Sequence, residues 1–362
     1  MGELVTDHIK YPQKIHYINI IKIVMLNDPI QMTCQNPDCA YFMTESGKKI
    51  RRNGHNSAGN QQYHCRHCNT YFVETRNTPL FRSRLTRSQV EFLAKSSAEK
   101  ISIRGVFRLT NISRKTISRY YLLFGYHAGL LNKIHTTNIS PGECELDEIW
   151  SFLYKKLKNV LLGDPPDYGD CWMYTAIKRL SGFFLSYACG KRIATTCKVM
   201  LDILFDVIAL PFPGSKIFFS TDGNTQYEEL IKERYCEPCV GYGQVIKVKK
   251  ENRVVKINFE TIFGSMAGHK ISTSVVEGYN NKIRQRIAGF VRKTAAFSKS
   301  IKSHIAKINI FQFANNFIEL KMEKNGIKKE KIRTPAMIEG IENHVWTWKE
   351  FLECNAYEYN VN

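Results

Sequence analysis

The chain has 362 residues, 43% of them apolar, and a formal net charge of +19. The apolar share argues against global disorder, and the length predicts two or three domains rather than one small one. A charge this large and positive points to a polyanionic partner, nucleic acid before membrane. No apolar run approaches the roughly 18 residues of a membrane-crossing helix.

Residues 1–29 carry no motif and read as an extension. The apolar stretch Ile15 to Leu26 is short, holds Lys22 and has no small-residue cleavage site behind it, so no signal peptide is expected. An intracellular, DNA-associated protein follows, in cytoplasm and nucleoid or in the nucleus of a eukaryotic host. Its eleven cysteines then read as thiols or metal ligands rather than disulfides.

Residues 30–75 hold Cys34-x4-Cys39 and Cys65-x2-Cys68, separated by twenty-five residues. Four soft thiolates can close a tetrahedron around Zn2+ and stand in for a core that so short a segment cannot build. Cys34, Cys39, Cys65 and Cys68 are the predicted set, with His55, His64 or His67 able to replace one of them. The intervening RRNGHNSAGNQQY is polar and basic, suited to phosphate as much as to solvent. Cys236-x2-Cys239 has no partner pair nearby and reads as structural or incidental.

Residues 76–140 begin with eleven Lys/Arg against two acids between Arg76 and Phe124. Thr86 to Ser97 and Ile101 to Leu109 read as helices. Asn111-Ile112-Ser113 reads as a turn, and Ser113 as the N-cap of a third helix, Arg114 to Phe124. Two helices across a three-residue turn match a helix-turn-helix. Its last helix would present Arg114, Lys115, Ser118 and Arg119 to base edges and phosphates. Residues 125–142 are expected to be a connector.

Residues 141–320 open with ECELDEIWSFLYKK, an alternating, aromatic-rich strand with Asp147 inside it. An acid in a buried strand is costly unless a cation or partner neutralises it. Glu145 and Glu148 flank it and leave open which acid faces inward. Strands are expected at Cys171–Ile177, Gly182–Cys189 and Ser215–Ser220, with a helix over Ala194–Ala209 and a hairpin within Gln244–Phe263. Asp222 follows the SKIFFS strand, where ligands of α/β sheets are held. Ser272 to Phe290 reads as a helix with an apolar stripe of Val276, Ile283, Ile287 and Phe290. Glu277, Asn281 and Arg284 share the neighbouring stripe. Ser274 to Glu277 also fits a capping box. Three strands, a helix, a strand ending in Asp, and later a helix bearing Glu is the layout of an α/β ribonuclease H-like fold, a mixed sheet flanked by helices. Asp147, Asp222 and Glu277 could converge there on two divalent ions. Hard carboxylate oxygens suit Mg2+.

RNGHNSAGNQQYHCRHC, ELDEIW, STDGNTQYEEL and VVEGYNNKIRQRIAGFVRKTAAFSKS resemble the insertion sequence one (IS-one) family of DDE transposases. The resemblance covers residues 30–320, and RTPAMIEG with HVWTW resembles the tail of its single-reading-frame members. It implies a zinc finger and helix-turn-helix that bind terminal inverted repeats of double-stranded DNA. A DDE domain would cut the DNA with Mg2+ (or Mn2+) and join the 3′ hydroxyl to a target, as a homodimer or higher assembly on DNA. By motif, Asp147, Asp222 and Glu277 match the three acids, and Arg284 the basic residue seven positions after the Glu. The four-residue gap between Cys34 and Cys39 is wider than the family's pair. Gln244–Gly268 is longer than in its shortest members, an insertion expected to leave the acids untouched. Arg284, Arg286, Arg292 and Lys293 belong to a basic run that would follow a phosphate backbone, and residues 321–362 form a C-terminal tail whose last part reads as a cap on the catalytic domain. The alternatives are a domesticated, catalytically silent DNA-binding regulator and a ribonuclease H-like nuclease acting on RNA hybrids or junctions.

Overall fold

The computed structural model describes residues 22–24, 33–42, 49–251, 253–325 and 328–357. Strand β1 (Lys22–Val24) pairs antiparallel with residues 355–357 near the other end of the chain. A small antiparallel sheet follows, β2 (Ile50–His55), β3 (Gln61–Cys65) and β4 (Tyr71–Val73). Its apolar content is slight: Tyr63 and Phe72 stack across β3 and β4 with ring centres 5.7 Å apart, while nearly all of β2 is exposed.

Three helices come next. Thr86 closes a capping box with Gln89 at the start of α1 (Arg87–Ser97), and Ser102 caps α2 (Ile103–Thr110). Asn111, at φ 57, ends α2 in the left-handed conformation that asparagine tolerates. Ser113 accepts from the Thr116 N–H and starts α3 (Arg114–His135). Val90, Leu93, Val106, Ile117, Tyr120 and Phe124 close the interior of this unit.

The expected connector at 125–142 is in large part helix, because α3 runs on without a break to His135. Gly125 and Gly129 look like helix breakers in sequence. Here they let a second helix, further along the chain, approach closely: a Cβ at Gly125 would run into the Cα and Cβ of Ala306, and one at Gly129 would meet Asn309. Asn309 Nδ2 donates to the Gly125 carbonyl at 3.0 Å, and Asn132 donates to the Asn309 carbonyl at 3.0 Å. Gly125→Ala is expected to force this helix pair apart and to lower unfolding stability by about 1–3 kcal/mol. Gly278→Ala, at an exposed helical position with open space around it, is expected to be neutral or stabilising by up to about 1 kcal/mol. Urea melts of the two variants check the contrast.

The larger sheet uses β5 (Glu143–Leu153), β6 (Gly169–Lys178), β7 (Phe184–Gly190), β8 (Ile217–Asp222), β9 (Val240–Lys250) and β10 (Arg253–Gly264). Its order is β10-β9-β8-β5-β6-β7. The first three strands form an antiparallel meander, β8 is parallel to β5, β9 is parallel to β8, and β10 folds back on β9. Helices α4 (Ala194–Val207) and α5 (Gln226–Arg234) sit in the crossovers, followed by α6 (Ser274–Arg286) and α7 (Ile301–Phe313). Period-2 alternation sorts the faces. Leu146, Tyr174 and Ala176 join the core with Met200 and Leu204 of α4, while Ile149, Met173 and Ile177 join Val276 and Ile283 of α6. This is a mixed sheet flanked by helices.

The β9–β10 ribbon runs beyond the sheet. Pairing with β8 stops at Val245, and the rest exposes Val248, Val254, Val255, Ile257 and Phe259 among lysines. A second hairpin, β11 (Lys321–Asn325) and β12 (Lys328–Arg333), leads to α8 (Pro335–Ile338), α9 (Trp348–Glu353) and β13 (Asn355–Tyr357), the partner of β1. The tail packs on the helices: Phe351 lies against Phe124, His127 and Phe313, and Glu353 pairs with Arg87 of α1 at 2.9 Å.

Candidate active site and cysteine cluster

Parallel pairing sets Glu143 opposite Phe218 and Glu145 opposite Ser220, so Asp147, within β5, falls level with Asp222 at the end of β8. One oxygen each from Asp147, Glu148 and Asp222 lies within 4.8 Å of the others. Glu148 points to the other face from Asp147. Arg192 holds it at 3.1 Å, Asn224 donates to it, and the Arg192 guanidinium lies 4.8 Å over the Trp172 ring. The Asn224 N–H also donates to Asp222 Oδ1 at 3.1 Å, the turn geometry that asparagine and aspartate share.

Glu145, fully buried, settles the question of the flanking acids. Its Oε2 accepts from the Val275 and Val276 N–H groups at 2.7 and 3.0 Å, and its Oε1 pairs with Arg179 at 2.8 Å. It therefore caps α6 from the sheet. The capping box expected at Ser274–Glu277 does not form. The N-cap is Thr273, with no side-chain bond to the helix backbone. Glu277 instead accepts from Thr273 Oγ1 at 3.1 Å and pairs with Lys247 at 2.6 Å. Lys247 lies on β9, so the 244–268 insertion touches an acid that it was expected to leave alone. The reason is register: β9 is the strand beside β8, and Val245 sits opposite Asp222.

Glu277 is half exposed and stands outside the 4.8 Å group, close enough for its charge to raise Asp147. One turn on, Asn280 donates from Nδ2 to Asp147 Oδ2 at 2.7 Å, and its own Oδ1 is buried without a partner among the described residues. Arg284 follows at the next turn, half-buried, with its Nε unpartnered among the described residues, and burial lowers its pKa. The stripe of α6 that faces Asp147 is thus Glu277, Asn280 and Arg284. Asn281, expected there, is exposed and accepts a hydrogen bond from Arg284. Sequence periodicity could have found Asn280, since i+3 serves as well as i+4.

Burial, then the charges of Glu148 and Asp222, push the Asp147 carboxyl up to about 7. Burial and Asp222 raise Glu148 as well, against Arg192. Crowded carboxylates beside an orphaned amide oxygen fit a hard cation with oxygen ligands, the chemistry of Mg2+ or Mn2+.

The predicted thiols come together at the other end of the chain. Cys34 Sγ lies 3.5 Å from Cys68 Sγ, and Cys39 Sγ 3.9 Å from Cys65 Sγ, all four within one 4.8 Å group. Those are non-bonded sulfurs at the edge lengths of a Zn2+ tetrahedron, about 3.8 Å for Zn–S near 2.3 Å. The Tyr41 N–H donates to Cys39 Sγ at 3.4 Å. Hydrogen bonds involving Thr70 and Cys34 hold the Cys68 thiol down to about 6 against its desolvation, while burial raises Cys34 and Cys39. His67 Nδ1 stands 3.5 Å from Cys39 Sγ, outside the sulfur set; His64 stacks on Tyr71.

Arg114, Lys115 and Arg119 are exposed on the first turns of α3 and Ser118 is half-buried. Arg292 and Lys293 are exposed after α6. Arg286 is engaged by Glu99 and Glu319. No helix among the described residues is long and apolar enough to cross a membrane.

No protein-family model matches the chain. It is 26% identical over 168 residues to iso-IS1n protein InsB, an insertion element protein of Shigella dysenteriae; the match spans 46% of this chain and 92% of that relative. Among solved structures, a piggyBac transposase synaptic complex with hairpin DNA aligns at 11% identity and a TM-score of 0.33, covering 74% of this chain and 70% of that one. The Mos1 strand transfer complex aligns at 6% identity and a TM-score of 0.18, covering 64% and 77%. Both structural likenesses are too slight to bear on function.

Proposed function

We propose that this chain is a DNA transposase of the kind the insertion sequence one resemblance implies, binding element ends and carrying out metal-dependent strand cleavage and transfer. The observation that carries the reading is the level pairing of Asp147 and Asp222 under the Glu277–Asn280–Arg284 stripe of α6. The similarity to an insertion element protein supports it, as does a strand order in which an antiparallel meander is followed by two parallel strands, the ribonuclease H-like arrangement.

Asp147 and Asp222 would hold the ions, with Glu277 completing the set. Two Mg2+ or Mn2+ ions would supply activation of the attacking oxygen and stabilisation of the leaving one. Asn280 fixes the Asp147 carboxylate in one orientation. Arg284 offers a half-buried guanidinium near Asp147, fit for a phosphate flanking the cut. The Cys34/Cys39/Cys65/Cys68 cluster would hold Zn2+. The α2–turn–α3 unit would read the ends as a helix-turn-helix through Arg114, Lys115, Ser118 and Arg119. A homodimer or higher assembly on DNA brings two ends together.

Lys247 stands where a cation at Glu277 would compete. The pair is exposed, worth only a fraction of a kcal/mol to about 1 kcal/mol. Lys247→Met is therefore expected to tighten Mn2+ binding by the DNA-free protein about two- to fivefold, read by electron paramagnetic resonance of free Mn2+. The silent-regulator reading has this same ion pair on its side, since it occupies Glu277. Incubation with duplexes carrying the repeats that flank the gene separates the two. Mg2+-dependent nicking at the repeat boundary supports the transposase; tight, specific binding with no nicking in Mg2+ or Mn2+ supports the regulator.

A further inference from the structure

We infer that Cys171, Cys189 and His304 form a second metal site, selective for a thiophilic ion such as Zn2+, independent of both the acidic cleft and the four-cysteine cluster. One ligand atom from each lies within 4.8 Å of the other two. The three residues come from β6, β7 and α7, so no local motif announces them.

Sheet register brings the cysteines together. Met173 pairs with Cys189, so Cys171, two residues before Met173, lies on the same face and diagonal to Cys189. His304 descends on that face from the first turn of α7. Cys171 and His304 are buried, while Cys189 is half-buried. A tetrahedral Zn2+ needs its S and N ligands roughly 3.3–3.8 Å apart, within rotamer reach of this arrangement.

The surroundings suit a ligand histidine. Nδ1 meets Ser298 Oγ at 2.9 Å and Nε2 meets Ser151 Oγ at 3.2 Å. Whichever nitrogen takes the ion, the other keeps a serine hydroxyl that fixes the tautomer. The ring lies against Phe290, with centres 4.6 Å apart. Burial pushes His304 down to about 4, so the ring is neutral near pH 7 and keeps a lone pair for an ion. Gly289 completes the enclosure, for a Cβ there would stand 2.9 Å from Ser298 Oγ and 3.5 Å from His304 Nδ1. Ser298 is itself bound to the end of β5, where the Tyr154 N–H donates to its carbonyl at 2.9 Å. An ion here would tie α7 and the segment carrying Arg292 and Lys293 to the sheet. Its uptake exchanges thiol protons for the metal.

The test uses the full chain, reduced and metal-free, with Zn2+ alone as the probe. Iodoacetamide alkylation of each cysteine is followed by peptide mass spectrometry before and after Zn2+. Cys189 alkylation is expected to slow about tenfold or more with Zn2+, and the bound metal to fall by about one ion per chain in Cys189→Ser. In His304→Gln, whose amide can keep the serine hydrogen bonds, protection of Cys189 is expected to vanish while Cys65 in the same sample stays protected. Protection of Cys189 in the unaltered chain decides. If Zn2+ leaves its alkylation rate unchanged, or if His304→Gln retains full protection, there is no such site.

Discussion

Alanine at Asp222 is expected to abolish metal-dependent cutting and joining of DNA ends while leaving end binding unchanged. Asp222 is the last residue of β8, and its neighbour Asn224 depends on it for one hydrogen bond only, so the strand survives its loss. What would be lost is one of the three proposed carboxylate ligands of a cation whose charge stabilisation is worth several kcal/mol, on the order of a thousandfold in rate or more. A gel-shift titration and a strand-transfer assay on the same DNA separate binding from chemistry. Joining at an undiminished rate would remove Asp222 from the site. The same cleft makes a stability prediction at Asp147. The folded-state value, about 7, lies well above the ~3.9 of an unfolded aspartate. The native state therefore binds this proton more tightly. Its contribution is fully present below pH 4 and is lost as pH rises through 7, a penalty on the order of a few kcal/mol above that. Asp147→Asn carries no such charge, and the Asn280 amide can turn its unpartnered Oδ1 to the new donor. The metal-free variant should melt several degrees above the unaltered chain at pH 8 and close to it near pH 4. Mg2+ should then raise the melting temperature of the unaltered chain and not of the variant.

That cleft shows where a sequence can be read and where it cannot. Asp147 was legible because an acid in an alternating apolar strand contradicts its surroundings, and Asp222 because it follows a short apolar strand. The β6, β7 and α4 boundaries were legible from periodicity within a residue or two, and the end of β5 within three. Glu145 was not, because its role depends on the N–H groups of Val275 and Val276, about 130 residues away, and only the folded sheet brings them together. Lys247 was missed for the same reason, since the neighbour of a strand is a fact of topology. The helical reach of α3 was missed because Gly125 and Gly129 lower helix propensity locally, and the close packing that favours glycine there comes from a helix about 180 residues later.

Serine at Cys65 is expected to melt strands β2, β3 and β4 and to leave the rest of the fold standing. The three strands β2, β3 and β4 bury little beyond Tyr63, Phe72 and the cysteines themselves, and β2 is exposed along almost its whole length. A sheet of that size has no core able to offset its chain entropy. Four thiolates closing on Zn2+ supply about 10–16 kcal/mol in small zinc modules, more than any other single contact here. Cys65 ends β3, fully buried, and reaches across to Cys39, so its loss removes the ligand nearest the sheet. The damage should stop at Glu74, because the chain is fastened elsewhere from there on. Arg87 pairs with Glu74 at 2.8 Å, Asn355 donates to the Arg76 carbonyl at 3.0 Å, and α1 is held by the C-terminal tail. Hydrogen exchange is the measurement: amides of β2, β3 and β4 should lose their protection in Cys65→Ser or in strong chelator, while those of α1, α3 and β5 keep theirs. Affinity for end-containing DNA should fall at least tenfold if Arg51 and Arg52 of β2 carry phosphate contacts. Strands that stay protected after the thiol or the metal is removed would mean that something other than these four cysteines holds the sheet.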